Sequence, residues 1–222
     1  MNIDRVQIKF CTPVDILNNK TIGDTIIVYL SKYKNYQISE LPFHESLENE
    51  KQVVYDSIKS EYFIQNLNDK HGYLIKHYND SFLNKLRNES IMERNFSGLN
   101  GKFLDFNSLK TYDKKEIIKS SDKFILSYLT NNSFYDSLHL YFDKKMVETT
   151  FSINKTLDSL YRSKLYKCEL FIKNDSLKKR YPMFQDFFVN SLEITPILDK
   201  NDDRLNTIFK RFILFEKNVL HK

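Results

Sequence analysis

The sequence predicts an α+β fold, with a helix-rich N-terminal half and a C-terminal half of mixed antiparallel strands and helices, around one or two cores. Three observations lead to this prediction. The 222 residues are 41% hydrophobic and 28% charged, a balance that is typical of globular chains rather than disordered ones. Apolar residues recur at helical spacing in much of the N-terminal part. Further along, several segments alternate apolar and polar residues as strands do.

The N-terminal segments combine strand and helix signals. Arg5–Phe10 alternates apolar and polar residues and predicts a strand. Thr12 followed by Pro13 is typical of a helix start, because threonine caps a helix and proline fits its first turn. A helix is predicted over Asp24–Tyr33, although the β-branched residues there leave a strand open as the alternative. Tyr36–Leu41 predicts a short strand.

Four helices and a loop are predicted between residues 45 and 130. The first helix covers Glu45–Leu67, where one apolar face is formed by Leu47, Val54, Ile58 and Tyr62. The second covers Asp80–Glu93, and two short helices follow at Asp113–Lys119 and Asp122–Thr130. Asn95–Asn107 contains two of the four glycines and is predicted to be a loop.

The C-terminal segments predict more strands. Ser137–Phe142 and Met146–Ile153 are predicted to form a hairpin across the polar turn Asp143–Lys145. The last element is an amphipathic helix from Asp203 to about Leu220, with Asp202 as its cap. Between the hairpin and this helix we predict a helical turn at Thr156–Ser163, a strand at Lys164–Ile172, a helix at Pro182–Ser191 and a strand at Leu192–Ile197.

The change of pattern along the chain suggests a domain boundary. A helix-rich region would cover residues 1–133, and a strand-containing basic region ending in a helix would cover residues 134–222. Asn131, Asn132 and Ser133 would form the joint. A single α+β domain over residues 1–222 is equally compatible with the sequence.

Composition bears on compartment and on codon bias. The chain has no Ala or Trp and only four Gly and four Pro, while residues with AT-rich codons are frequent, so coding bias explains part of its Lys-rich surface. The N-terminus lacks the apolar run of a secretory signal, and no window is apolar enough for a membrane span. Cys11 and Cys168 form no disulfide framework and are expected to be free thiols. These features favour the cytoplasm and no membrane partner.

Several catalytic classes lack their sequence signals. Phosphate-cradling loops need clustered glycines, and the four present fit neither a Walker-type nor a G-x-G-x-x-G pattern. No G-x-S-x-G elbow occurs. The five histidines form no H-E-x-x-H pattern and no pair four residues apart. We therefore predict no metal and no cofactor.

A weak enzymatic alternative remains. Metal-dependent nucleases hold a divalent ion with acidic residues at a strand end and place a lysine close to the developing charge. Asp143 and Lys145 follow the predicted strand Ser137–Phe142, and Asp136 lies just before it. A polar hairpin turn is the simpler interpretation of the same residues.

The basic segment 155–181 is the main functional signal. It contains eight Lys and Arg residues against three acidic ones, which equals the net charge of +5 of the whole chain. Tyrosines alternate with the basic residues, and exposed rings can stack on bases while lysines neutralise phosphates. The predicted nucleic-acid-binding residues are Arg162, Lys164, Tyr166, Lys167, Lys173, Lys178, Lys179, Arg180 and Tyr181. A second basic stripe, Lys115, Lys119 and Lys123, would share one face of a continuous helix.

Three functions follow from these observations. The leading hypothesis is a non-catalytic binding protein that engages RNA, DNA or a nucleoprotein complex. A phage- or mobile-element-encoded accessory factor, such as an inhibitor of a host defence complex, fits the composition. The first alternative is the metal-dependent nuclease. The second is a protein-interaction module that uses either its aromatic surface or an acidic helix face formed by Glu40, Glu45, Glu48, Glu50 and Asp56.

Overall fold

The structure, a computed structural model, describes residues 1–12, 24–49, 52–87, 113–129, 137–146, 149–173, 187–198 and 202–220. These ranges contain eleven strands, two α-helices and a 3-10 turn at Lys144–Met146. The strands are β1 (Asp4–Thr12), β2 (Asp24–Tyr33), β3 (Tyr36–Asn49), β4 (Gln52–Asn66), β5 (His71–Ile75), β6 (Asn84–Arg87), β7 (Asp113–Lys119), β8 (Lys123–Leu129), β9 (Ser137–Asp143), β10 (Lys164–Lys173) and β11 (Phe187–Pro196). The helices are α1 (Lys155–Tyr161) and α2 (Asp203–Leu220). The prediction of a helix-rich N-terminal half is wrong, because the described chain is mostly antiparallel sheet.

The chain divides into two compact units. Unit 1 comprises Met1–Gln7, Ile27–Phe103 and Ile197–Lys222, and unit 2 comprises Ile8–Ile26 and Leu104–Pro196. In unit 1 the strands follow the order β6-β5-β4-β3-β2-β1, and in unit 2 the order β11-β10-β9-β8-β7. Sequence neighbours from β2 to β6 and from β7 to β11 therefore lie side by side. Each pairing with a described register is antiparallel.

Helix α2 and the sheet of unit 1 share one apolar core. Ile38 of β3, Ile64 of β4 and Ile75 of β5 are almost fully buried. The helix contributes its own apolar stripe to the same cluster, namely Leu205, Ile208, Phe209 and Phe212. Burial of each such side chain contributes about 1.5–3 kcal/mol, so the amphipathic pattern of the last helix is what fixes it on the sheet. The prediction of this helix from Asp203 to Leu220 is confirmed.

The long hairpin of β3 and β4 replaces the helix predicted at Glu45–Leu67. The two strands pair from Tyr36 opposite Asn66 to Asn49 opposite Gln52, with one register shift after Leu47. Val54, Ile58 and Tyr62, which suggested a helix, are four residues apart. A spacing of four places residues on one face of a strand as well as on one face of a helix, so the pattern is ambiguous. The β-branched and aromatic residues of this segment favour the extended form.

Five further predictions of helices are also wrong. Asp113–Lys119 forms β7 and residues 123–129 of the Asp122–Thr130 segment form β8. Asp24–Tyr33 forms β2, as the alternative interpretation held. Residues 84–87 of Asp80–Glu93 form β6, and residues 187–191 of Pro182–Ser191 belong to β11. Lys115 and Lys119 therefore lie on β7 and Lys123 on β8, and they share no helix face.

The predicted strands agree better with the structure. Arg5–Phe10, Tyr36–Leu41 and Lys164–Ile172 lie within β1, β3 and β10. Ser137–Phe142 lies within β9, but its predicted hairpin partner Met146–Ile153 is wrong, because its described residues form the end of a 3-10 turn and irregular chain. Leu192–Ile197 overlaps β11, and Thr156–Ser163 overlaps α1. Pro13, Asn95–Asn107 and the joint at residues 131–133 lie outside the described residues.

Helix α1 covers one face of the sheet in unit 2. It starts at the cap Asn154, whose side-chain oxygen accepts from the Leu157 amide at 3.0 Å, and ends at Arg162 with a left-handed φ of 49°. Tyr161 packs on Phe142 and Phe124, with ring centroids 5.0 and 5.8 Å away. On this face of the sheet lie the buried side chains Leu126, Leu138, Leu140, Leu165, Cys168 and Leu170. Because strand residues alternate, their neighbours in sequence point to the opposite face.

Candidate nucleic-acid interface

The sheet face of unit 2 that lies opposite α1 carries half-buried aromatic rings. On β9 the alternate residues His139 and Tyr141 point to it, and β10 places Lys167 opposite Tyr141 and Glu169 opposite His139. Phe171 lies near His139, with ring centroids 4.4 Å apart. We call this surface the aromatic face, and its members are Lys123, His139, Tyr141, Tyr166, Lys167, Glu169 and Phe171. All of them except the exposed Lys123 are half-buried.

A bulge in β10 brings Tyr166 to the aromatic face. Leu165 pairs with Phe142 and Lys167 pairs with Tyr141, so Tyr166 is the one residue between them without a partner across the ladder. Such bulges bend a strand and redirect a side chain. The ring of Tyr166 lies 6.4 Å from that of Tyr141 in an edge-to-face arrangement. The two rings form adjacent platforms on one side of the sheet.

Lys123 is the accessible cation of the aromatic face. Its ammonium nitrogen lies 5.6 Å from the centroid of the Tyr166 ring, and its side chain is 60% exposed. It also pairs with an Asp143 carboxylate oxygen at 3.4 Å. Only the lysine end of this pair is exposed, because the Asp143 side chain is buried. The exposed ammonium group of Lys123 can therefore contact a further anion while it keeps its contact with Asp143.

Lys167 is held differently, in a hydrogen-bonded network. Its Nζ lies 2.7 Å from a Glu169 carboxylate oxygen and 5.1 Å from the centroid of the Tyr141 ring. The Tyr141 hydroxyl donates to the other oxygen of the same carboxylate. The charge of Lys167 is thus largely compensated inside the protein. This lysine orients Glu169 and Tyr141 more than it offers a free charge to a ligand.

The pKa values of this network follow from burial and hydrogen bonding. Burial disfavours the charged form of Glu169, but hydrogen bonds from Lys167 and Tyr141 outweigh it and lower the pKa of this carboxyl. Burial and the bond to Glu169 raise the pKa of Tyr141. Burial lowers the pKa of His139, and the nearby Glu169 opposes that effect. At neutral pH these shifts favour an ionised Glu169 beside a neutral Tyr141 and a neutral His139.

The structure brings together only some of the predicted binding residues. Tyr166 and Lys167 lie on the aromatic face. Lys164 does not contribute an exposed charge, because its ammonium pairs with Asp158 at 3.2 Å and its side chain is only 12% exposed. Arg162 is exposed at the end of α1. Lys173 ends β10 with its side chain outside the description, and Lys178, Lys179, Arg180 and Tyr181 lie outside the described residues.

Asp143 and Lys145, the predicted nuclease pair, take part in local contacts. Asp143 is 6% exposed, and one of its carboxylate oxygens accepts from the Lys145 amide at 2.8 Å at the start of the 3-10 turn. The Lys145 ammonium instead pairs with Asp122 at 3.0 Å. Among the described residues, no three or more His, Cys, Asp or Glu side chains converge as metal ligands would. Asp136 lies outside the described residues.

The described part of the predicted acidic helix forms the strands β3 and β4 instead. Glu50 and the side chains of Glu45, Glu48 and Asp56 lie outside the description. Glu40 of β3 is 6% exposed and binds the Arg5 guanidinium at 2.6 Å. The same guanidinium reaches Asp202 at 3.2 Å. Burial raises the pKa of Glu40, and Arg5 opposes that effect. Glu40 is therefore an internal partner of Arg5 and cannot serve as part of an exposed acidic docking surface.

Five members of the aromatic face were not predicted as binding residues, namely Lys123, His139, Tyr141, Glu169 and Phe171. His139 and Tyr141 lie in a strand that was correctly predicted. Which side of this strand faces away from α1 is known only from its register with β10. Lys123 was placed on a helix. Ser137–Phe142 and the basic strand Lys164–Lys173 both alternate, and pairing them in sequence would have placed these rings beside the basic residues. Adjacent strands align their side chains on one face of a sheet.

No family model matches the chain, and no curated protein matches it in sequence. No helix in the described ranges has the length and apolar composition that a bilayer crossing requires.

Proposed function

We propose that this protein is a non-catalytic binding protein that engages single-stranded RNA or DNA, alone or as part of a nucleoprotein complex. The observation that carries the proposal is the aromatic face, where one sheet surface holds the rings of Tyr141, Tyr166, His139 and Phe171 beside an exposed lysine. Single strands bind to such surfaces because unpaired bases stack on rings and lysines neutralise the phosphates between them.

Within the aromatic face, Tyr166 and Lys123 are the residues on which binding would depend most. Tyr166 stands at a bulge, free of a ladder partner, next to the exposed ammonium of Lys123. The charges of Lys167 and Glu169 compensate each other, and the two side chains would hold the Tyr141 ring in place. A stacked base on Tyr166 with its phosphate at Lys123 uses the two groups that are least committed to the protein.

Composition supports the remaining parts of this proposal. A chain with free Cys11 and Cys168 suits a reducing compartment, which for this proposal is the cytoplasm. The AT-rich codon bias fits an accessory factor of a phage or mobile element, such as an inhibitor of a host nucleoprotein defence complex. That assignment to a biological role rests on composition alone.

Binding of a 5′-hydroxyl single strand across a salt series tests the proposal. We expect Tyr166→Leu to weaken binding by roughly tenfold, since loss of one stacked base costs about 1–3 kcal/mol. Lys123→Gln should weaken binding and reduce the slope of log K against log salt by about 0.7, the value for one single-strand phosphate. Affinity would be measured by fluorescence anisotropy with an end-labelled oligonucleotide.

Lys155→Gln is the matched control. Lys155 is exposed at the start of α1, which covers the opposite face of the sheet, so its loss should leave affinity and salt slope nearly unchanged. Equal weakening by Lys155→Gln and Lys123→Gln would contradict the assigned face. A strand that is shortened only with Mg²⁺ would favour the nuclease, and a protein complex that survives nuclease treatment without any strand binding would favour the interaction module.

A further inference from the structure

Unit 1 contains a cleft that the nucleic-acid proposal does not use. Strand β5 pairs with β4 only from Tyr62 to Gln65 and ends at Ile75, whereas β4 extends beyond that pairing towards Ser60 and Lys59. Over residues 76–80 the chain turns away from β4. The space left between this turn, the middle of β4 and the start of α2 is an open cleft of about 380 Å³. Ligand sites for small molecules have volumes of this order.

The turn that forms one wall of the cleft is held by hydrogen bonds. The Asp80 carboxylate accepts from the amides of Lys76 and His77 at 3.0 and 2.8 Å. Arg211 of α2 donates to the carbonyl oxygens of Asn79 and Asp80 at 3.0 and 2.9 Å, and also to that of Tyr78. The wall is thereby tied to the helix that packs on the core. A ligand would enter a site whose walls are already formed.

The lining of the cleft is cationic and aromatic. Lys59, Lys76 and Arg204 line it together with His77, and none of the described residues that line it is acidic. The Arg204 side chain is 57% exposed and is oriented by Asp202, with a guanidinium-to-carboxylate distance of 3.1 Å. In the described part of the chain no ion pair involves Lys76, which is exposed. The Tyr78 ring, 42% exposed, lies at the same cleft.

We propose that this cleft binds a nucleotide carrying a terminal phosphate. Arg204 binds Asp202 through Nε and one terminal nitrogen and holds its guanidinium at the cleft, and Lys76 supplies a mobile point charge. Guanidinium and ammonium groups are the two kinds of cation that bind phosphate oxygens. The exposed ring of Tyr78 offers a surface on which the base can stack. The volume admits one nucleotide, which is either free in solution or the 5′-phosphorylated end of a strand. This site lies in unit 1 and involves no residue of the aromatic face.

Calorimetric titration with adenosine 5′-monophosphate, adenosine and inorganic phosphate tests the site. We expect saturable binding of the monophosphate at one site per chain. Adenosine should bind at least about tenfold more weakly, because it lacks the phosphate that accepts charge-assisted hydrogen bonds. Lys76→Glu should weaken the binding of the monophosphate by a similar factor. Equal affinity for adenosine and its monophosphate would overturn the proposal.

Lys70→Glu is the matched control for Lys76→Glu. Both lysines are exposed and flank β5, one before it and one after it, but only Lys76 lines the cleft. The same reversal of charge at Lys70 should leave the affinity within about twofold, since an exposed charge outside the site acts only through screened solvent. Equal weakening by the two substitutions would show a general charge effect and would overturn the site.

A second titration separates the two sources of the nucleotide. Oligonucleotides with a 5′-phosphate or a 5′-hydroxyl are compared in the Tyr166→Leu variant, where the aromatic face is weakened. A preference for the phosphorylated end that Lys76→Glu abolishes would assign the cleft to strand ends. Binding of the free monophosphate without that preference would assign it to free nucleotides. If neither the preference for a phosphorylated end nor binding of the free monophosphate is observed, the proposal is overturned, whatever the outcome at the aromatic face.

Discussion

At the scale of single residues, half-buried titratable groups on the aromatic face link its stability to pH. Burial lowers the pKa of His139 from its ordinary value of 6.5, so the folded protein favours the neutral ring. Glu169, by contrast, has a lowered pKa because Lys167 and Tyr141 donate to it, so it favours the ionised carboxylate. The two groups act in different pH ranges, since the ordinary pKa of a glutamate is 4.5.

His139→Gln tests the effect of burial on the histidine. Below pH 6.5 the unfolded chain binds a proton at His139 that the folded chain resists, so stability falls as pH drops through this range. We expect the wild type to lose stability between about pH 7 and pH 5.5, and His139→Gln to lose less. Urea unfolding at several pH values measures this difference. Identical pH dependence of stability in the two proteins would contradict the lowered pKa of His139. The stability that ionised Glu169 contributes is lost only below pH 4.5, outside this range.

At the scale of elements, α2 was predictable and most strands of the N-terminal part were not. The stripe Leu205, Ile208, Phe209 and Phe212 has spacings of three, one and three, which only a helix gathers on one face. The pattern Val54, Ile58 and Tyr62 has spacings of four, which a strand gathers equally well. The absence of Ala and the scarcity of Gly and Pro removed the usual composition and boundary signals.

The cap of α2 is confirmed and can be tested by two substitutions at one position. One carboxylate oxygen of Asp202 accepts from the amides of Arg204 and Leu205 at 3.0 and 3.3 Å, and the other binds Arg5 and Arg204. Asp202→Asn keeps a capping oxygen but loses the charge, whereas Asp202→Ala loses both. We expect Asp202→Ala to be less stable than Asp202→Asn by about 1 kcal/mol in urea unfolding. Equal stability of the two variants would mean that the ion pairs of Asp202, and not its capping of α2, account for the stability that both variants lose.

At the scale of the whole molecule, the candidate site could be predicted from the sequence only in part. The basic strand Lys164–Ile172 was recognised, and with it Tyr166 and Lys167. Its neighbours His139 and Tyr141 are separated from it by more than twenty residues, and only the pairing of β9 with β10 joins them. Counting charges also overestimated the positive charge that Lys164 offers to a ligand. The sequence does not show that Asp158 binds the ammonium group of Lys164.

The absence of tryptophan from the chain allows a direct measurement at the aromatic face. Tyr166→Trp introduces a single tryptophan at the proposed stacking position, and Leu160→Trp places one on the exposed side of α1, where Leu160 is 68% exposed. Stacking of a base on an indole quenches its fluorescence. Stacking of a single strand on the aromatic face predicts saturable quenching of Tyr166→Trp by a 5′-hydroxyl strand, reduced by salt, and no quenching of Leu160→Trp. Strand binding that leaves Tyr166→Trp unquenched, or that quenches both variants equally, would contradict it.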